Sequence, residues 1–235
     1  MSKHSQYSRV VAGGLPLSGV LRDVSLSRAL DTADASTFES SAHEYVSGMI
    51  DGTLSASGVF KDTIDTDSLQ GDQDLYVTVG LGSTSEGDDV FMLRGHNTAL
   101  TRTATIGDVV QVSLDLQLSG PNPFLHGHLL LDHDASDTTA HEAGSVDNTA
   151  ASADGLLIYC HIRSVTGATA AVLDVQESAN GSTWSTIESF SALATVGAVR
   201  AVRRVHAGSI ARYLRGRLTA GSGGTLEATI SAHRL

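Results

Sequence analysis

The stretch VVQVSLDLQLS, residues 109–119, constrains this chain more than any other. Val110, Val112, Leu114, Leu116 and Leu118 alternate strictly with Gln111, Ser113, Asp115, Gln117 and Ser119. Successive side chains of a strand point to opposite faces, so this pattern specifies a long strand with one buried and one wet face. The segment GTLSASGVF, residues 52–60, behaves the same way: Leu54, Ala56 and Phe60 oppose Thr53, Ser55 and Ser57. Gly58 stands inside it, where a glycine marks a bulge or a close backbone approach.

Further strands are predicted near Val20–Leu26, Asp89–Leu93, Phe124–Leu131, Leu156–Val165, Ala170–Gln176, Val199–Val205, Ile210–Leu218 and Thr225–Ala232. Asn180-Gly181 predicts a type I′ hairpin turn, in which both central residues need positive φ, joining AAVLDVQES to STWSTIES. In TFESSAHEYVSGMIDGTLSASGVF the chain is expected to turn at Gly48 and restart as a strand after Asp51-Gly52. Helix signals are few: a short turn within Ser36–Val46, and a brief helix capped at Asp67-Ser68 ahead of Leu75. The fold class is all-β with minor α.

At 235 residues there is room for one large β domain or two smaller ones. Residues Asp132 to Asp154 are rich in Ser, Thr, Ala, Asp and Gly and nearly free of apolar side chains, as in an exposed connector. The expected organisation is a β domain over 1–131, a flexible connector over 132–154, and a sandwich-like β domain over 155–235.

Charge narrows the function. The net charge of −11 opposes adhesion to a phosphate backbone, which Lys and Arg drive by displacing counterions. The one cysteine, Cys160, rules out an intrachain disulfide framework and any multi-Cys zinc site, and within LLIYCHI it reads as a small buried apolar residue. The N-terminal segment MSKHSQYSRVVAGGLPL lacks the apolar run of a signal peptide, and no stretch approaches the roughly 20 apolar residues of a membrane span. A soluble, unsecreted chain without a membrane partner is expected.

Candidate chemistry is thin. His126 and His128 flank Gly127 on one strand face, with Asp132, His133 and Asp134 close behind. Two imidazoles and a carboxylate could form a metal set, but no H-E-x-x-H or Cys-containing pattern supports it, and solvated or interfacial histidines near a subdomain boundary are the preferred reading. The run from Gly80 to Ser85 has Ser85 where a dinucleotide fingerprint needs its third glycine, and Glu86, Asp88 and Asp89 would repel a pyrophosphate. The carboxylates Asp62, Asp65, Asp67, Asp72 and Asp74 miss the spacing of a calcium loop. No G-x-S-x-G elbow or Cys-His pair appears. No catalytic residue, metal or cofactor is expected.

Arg200, Arg203, Arg204, Arg212, Arg215 and Arg217 fall within eighteen positions, while acids concentrate between Asp62 and Asp89. A solvated basic face is one reading. Another sets Asp62, Asp65 and Asp67 of one copy against Arg200, Arg203, Arg204, Arg212 and Arg215 of the next, because complementary patches steer encounter and fix register. Nucleic-acid binding is a third, weakened because Tyr213 is the lone interleaved aromatic.

The run HEYVSGMIDGTLSASGVF, then an acidic loop, then IGDVVQVSLDLQLSG resembles the major tail tube proteins of long-tailed bacteriophages. The matching positions are Tyr45, Gly48, Asp51, Gly52, Thr53, Leu54, Gly58, Gly107, Asp108 and Val110 to Gln117, within about residues 18–130. Met49-Ile50 departs from the usual Leu-Lys and removes a positive charge. The remainder, from Val146-Asp147-Asn148-Thr149 through Gln176-Glu177-Ser178, Trp184 and Arg212-Tyr213-Leu214-Arg215, is more loosely similar to β-rich C-terminal portions of phage tail proteins.

The resemblance implies rings, hexameric or else trimeric, whose inner strands join into an oligomeric β-barrel and whose stacking makes a conduit for the genome. It implies a virion protein made in the host cytoplasm, with other copies of itself, a tape measure protein and tail terminator or tip proteins as partners. DNA would pass through without specific binding. Thr53, Ser55, Ser57, Gln111, Ser113, Asp115 and Gln117 would then line the conduit, with Leu54, Ala56, Val112, Leu114 and Leu116 in the core. The alternative is a virion-surface decoration or carbohydrate-binding β-sandwich module, which an exposed cluster of Trp184, Tyr213 and Tyr159 would favour.

Overall fold

The computed structural model describes residues 8–37, 41–61, 69, 74–82, 85–106, 108–120, 123–134, 140–166, 171–190, 200–219, 221 and 224–235. The strands run in the order β1 (Arg9–Ala12), β2 (Leu15–Pro16), β3 (Leu21–Asp34), β4 (Tyr45–Val59), β5 (Leu75–Gly80), β6 (Asp89–Thr103), β7 (Gln111–Leu118) and β8 (Phe124–His133). They continue as β9 (His141–Glu142), β10 (Val146–Asp147), β11 (Leu156–Thr166), β12 (Val172–Ser178), β13 (Ser185–Phe190), β14 (Arg200–His206), β15 (Tyr213–Thr219) and β16 (Thr225–Arg234). No α-helix occurs among the described residues, and the fold is all-β. The expected helix at Asp67-Ser68 lies outside them.

The long strand β6 organises the molecule. Its first half lies between β5 and β8, within a sheet ordered β14-β11-β16-β8-β6-β5-β1-β2. Its second half pairs with β7, which continues the hydrogen bonding to β4 and β3. A second sheet, β10-β15-β12-β13 with β9 on β15, packs on β8, β11 and β16. Strands from both sides of the expected division at residue 131 share the larger sheet, and residues 132–154 hold β9 and β10.

The larger sheet rolls. Thr78 of β5 lies 2.9 Å from Nε2 of His161 on β11, although three strands separate the two along the sheet. Three apolar clusters fill the layers. Leu54, Leu114, Leu116, Val77, Val79 and Leu93 lie between the β3-β4-β7 wing and the roll. Val90, Met92, Leu129, Leu157 and Tyr159 fill the roll, and Leu131, Ile158, Ile230, Leu173, Leu218 and Phe190 join it to the second sheet. Each fully buried Leu, Val, Ile, Phe or Met side chain contributes about 1.5–3 kcal/mol through burial. Leu54, Ala56, Val112, Leu114 and Leu116 are at most 5% exposed, so the period-two reading placed the core face correctly.

Two local expectations need correction. β4 runs unbroken through Gly48 and Gly52, with a bulge between the Leu30 and Thr32 pairs where a turn was expected. The glycines serve close cross-strand approach instead: a Cβ on Gly48 would lie 3.0 Å from Asp31 Cβ, and one on Gly52 2.9 Å from Leu118 Cδ1. The β12–β13 hairpin forms as expected, but its last pair is Glu177 with Ser185, so the loop is wider than two residues. Gly181 alone takes positive φ, +72°, and the Asn180 side chain accepts hydrogen bonds from Ser182 N and Thr183 N at 3.0 and 2.9 Å. An Asx turn replaces the type I′ geometry. Gly58 meets expectation: a Cβ there would lie 1.9 Å from the Val20 carbonyl oxygen, beside a register shift between the Leu21 and Asp23 pairs.

Candidate functional site

The wing β3-β4-β7-β6 has one face in the core and one open to solvent. Its rows are in register across four strands: Asp23–Ser57–Ser113–Thr101, Ser25–Ser55–Asp115–Ala99, and Ser27–Thr53–Gln117–His96. Val59–Gln111–Thr103 follows at one end. Thr53, Ser55, Ser57 and Gln111 are exposed and Ser113, Asp115 and Gln117 half-buried, so the seven polar residues singled out in sequence form one continuous surface. Gln117 Nε2 donates to Asp51 Oδ1 and, at 3.2 Å, to Gly52 O, tying the face together across β4 and β7.

Sequence reasoning missed the outer columns, Ser25 and Ser27 on β3 and Thr101 and Thr103 on β6. The alternation of Val24 and Leu26 with Ser25 and Ser27 was the available signal. These rows contain hydroxyls, amides, two carboxylates and the His96 imidazole, which lies 3.5 Å from Asp74, and no Lys or Arg. Arg102 is registered with buried Val112 and turns to the other side, its guanidinium 4.7 Å from the Phe60 ring centroid.

Both margins of this wing are open. Among the described residues β3 pairs only with β4, and β6 beyond Gly95 pairs only with β7. Unpaired N–H and C=O groups along such margins form a ready template for another strand.

Beyond Gly52, β3 and β4 continue as a two-stranded ribbon, exposed throughout residues 28–34 and 45–51. Leu30 and Ile50 extend the row of Leu26 and Leu54, yet are 51% and 37% exposed. Tyr45, Val46 and Met49 are also exposed. An isolated two-stranded ribbon is marginal in water, so this apolar surface suits a partner. The ribbon tip is braced by Ser36, whose hydroxyl and amide both donate to Asp34 and hold its carboxyl below the usual range. At the opposite end of the wing, Ile106 and Val109 between β6 and β7 are likewise exposed.

The arginines part ways. Arg212 is bidentate with Asp147 at 2.6 Å, which holds that carboxyl down at about 2. Arg215 reaches Glu142 and Gln176 at 2.9 Å and covers the Trp184 ring at 4.3 Å. Arg200 is half-buried, whereas Arg203 and Arg204 of β14 are exposed. Asp62, Asp65 and Asp67 lie outside the described residues.

The other candidates disperse. Asp132 and Asp134 are engaged by Arg9 and Arg163, with Arg9 Nη2 2.7 Å and Arg163 Nη2 3.3 Å from Asp132 Oδ1. No metal-holding group of His, Cys, Asp or Glu occurs among the described residues. Tyr159 is 1% exposed against Tyr76, Tyr213 is stacked by Arg212, and Trp184 by Arg215, so the three aromatics form no common platform.

An all-β chain with an unclosed, polar-faced wing is the class these features define. No protein-family model and no curated protein matches it. Among solved structures it is similar to a protein of the native gene transfer agent virion, at 18% identity over 52% of this chain and 98% of that one, TM-score 0.43. It is also similar to the SPP1 phage Dit protein of the hub adsorption apparatus, at 11% identity over 97% and 99%, TM-score 0.38. A third likeness is to the sheath–tube complex of an extracellular contractile injection system, at 14% identity over 53% and 90%, TM-score 0.41. Likenesses this distant carry no functional conclusion by themselves.

Proposed function

We propose that this chain is a structural subunit of a phage-type virion tail, the major tail tube subunit, whose wing is completed by neighbouring copies into a ring. The observation that carries this reading is the pair of open margins, on β3 and on the second half of β6, at either side of one polar-faced sheet. Pairing the β3 margin of one copy with the β6 margin of the next is a head-to-tail contact, which closes when its rotation divides a full turn. Closure leaves no strand edge exposed.

In such a ring the apolar face of the wing stays in the subunit core, so the polar rows face the lumen. A wall of hydroxyls, amides and carboxylates offers DNA phosphates no Lys or Arg to grip, and its carboxylates repel them within the Debye length of about 8 Å. The ribbon at one end of the wing and the β6–β7 turn at the other supply apolar contacts along the axis. The tape measure and the terminator or tip proteins are the further partners of this reading, which involves no enzymatic step.

Electron microscopy of the purified protein over a range of concentrations tests it. Stacked rings are expected. Rings that never stack would assign the chain to a single-ring position such as a hub, and particles that stay monomeric at every concentration would overturn ring assembly altogether.

A further inference from the structure

Where β8 begins and β16 ends, beside the second sheet, a cavity of about 180 Å3 opens. His126 and His128 of β8 and His233 and Arg234 of β16 line it, above a floor that includes Leu130 and Leu214. The strands bring these residues together because His128 is registered with Ala232. Gly127 allows the approach: a Cβ there would lie 2.4 Å from the Ala232 carbonyl oxygen.

Three imidazoles, one guanidinium and the neutral Asn148 amide, which donates to the Arg212 carbonyl oxygen, supply the polar side chains of this lining. His233 Nδ1 lies 2.6 Å from the His126 carbonyl oxygen, which can only accept, so Nδ1 carries the hydrogen. The remaining ring nitrogen, Nε2, is a lone pair in the neutral ring and a donor in the imidazolium. Arg234 spends its terminal nitrogens on carbonyl oxygens: Ala150 at 2.7 Å, Arg212 at 3.2 Å, and Ala211. Its Nε and the Nδ1 of His128 are closed to solvent, so the edges left for a ligand are those of the three imidazole rings.

Few negative groups oppose them. Asp89 Oδ1 lies 3.3 Å from His128 Nδ1. Asp147 is held by Arg212, and Glu177 accepts from Ala211 N. Phe91 packs edge-on against His126.

We propose that this cavity binds a small oxyanion of the sulfate or phosphate class, and that binding takes up a proton at Nε2 of His233. Sulfate is the sharper probe, because it carries no proton of its own near neutral pH, so any proton taken up lands on the protein. The reading is independent of ring assembly, and its test uses the full chain in whatever assembly it adopts.

The test follows the histidine ring resonances while sulfate is titrated at constant ionic strength against chloride. Saturable shifts are expected at His126, His128 and His233 and not at His96 or His206, with affinity roughly tenfold or more higher near pH 6 than near pH 8. His233→Asn keeps a donor at the Nδ1 position for the His126 carbonyl but cannot take up the proton; it should reduce the pH dependence several-fold, and His128→Gln should weaken binding at both pH values. Parallel shifts of all the histidines, or equal shifts with chloride, would mean an adventitious ion only and overturn the proposal. So would saturable binding of equal strength at the two pH values.

Discussion

Thr78 and His161 meet inside the rolled sheet, hydroxyl oxygen to Nε2 at 2.9 Å, although 83 residues separate them in sequence. Ser231 closes the group, its hydroxyl 2.8 Å from that of Thr78. His161 is fully buried, and burial first, then the nearby Arg163, pulls its pKa from 6.5 down to about 3. The folded protein therefore holds this ring neutral while the unfolded chain protonates it.

Between pH 6.5 and about 3 the unfolded state binds the extra proton, so stability is complete above that window and declines as pH falls through it. The slope is at most about 1.4 kcal/mol per pH unit. Asp132, whose carboxyl burial pushes up to about 6, acts in the opposite sense between 3.8 and 6. His161→Gln isolates the histidine because it leaves Asp132 in place. Denaturant midpoints followed from pH 7 to pH 4 should fall less steeply in the variant than in the parent chain. Identical slopes would show that the ring is not held neutral.

That polar group was invisible in the sequence. Thr78 lies in LYVTVG, a mostly apolar run without alternation, because β5 is covered on both faces, and period two carries no signal there. β7 was legible for the opposite reason, with one face in the core and one in solvent. The strand at Asp89, expected only as far as Leu93, runs on to Thr103 past Gly95 and a bulge between Asn97 and Ala99. Only the change of partners from β8 to β7 shows why the chain runs on to Thr103. Of the candidate site, the columns on β4 and β7 could be read directly, whereas the open margins could not, because an edge is a property of pairing and leaves no residue pattern of its own.

Gly58 offers a test of the β3–β4 junction. A methyl group there meets the Val20 carbonyl oxygen, which is backbone and cannot swing away. Gly58→Ala should cost about 3 kcal/mol, whereas Gly19→Ala, with nothing within 4 Å of the added carbon, should stay within about 0.5 kcal/mol of the parent. Urea denaturation decides it, and equal midpoints for the two variants would refute the close approach.

Arg203 and Arg204 separate assembly from folding. Both are exposed, unlike Arg215, which is packed on Trp184. Reversing them to Glu should leave the unfolding free energy within about 0.5 kcal/mol of the parent. If they meet acidic surface on another copy, filament yield should drop at low salt, and the difference from the parent should shrink as salt screens the contact. Equal yields at every salt concentration would remove β14 from the interface.

The open margins give the most direct prediction. The one native thiol, Cys160, is 0% exposed, and burial pushes its pKa up to about 12, so it is a poor partner in disulfide exchange. New cysteines therefore report on their own neighbours. In a ring closed by β3 against β6, a cysteine at Ser25 or Ser27 of one copy should oppose one at Thr101 or Thr103 of the next. Chains carrying one cysteine on each margin should oxidise into a ladder of covalent oligomers that ends at the number of copies in the ring. Chains with a cysteine on only one margin should give at most weak dimers. The length of the ladder reads the ring stoichiometry directly, and double variants that stay monomeric in every pairing of the four positions would exclude closure through these two strands.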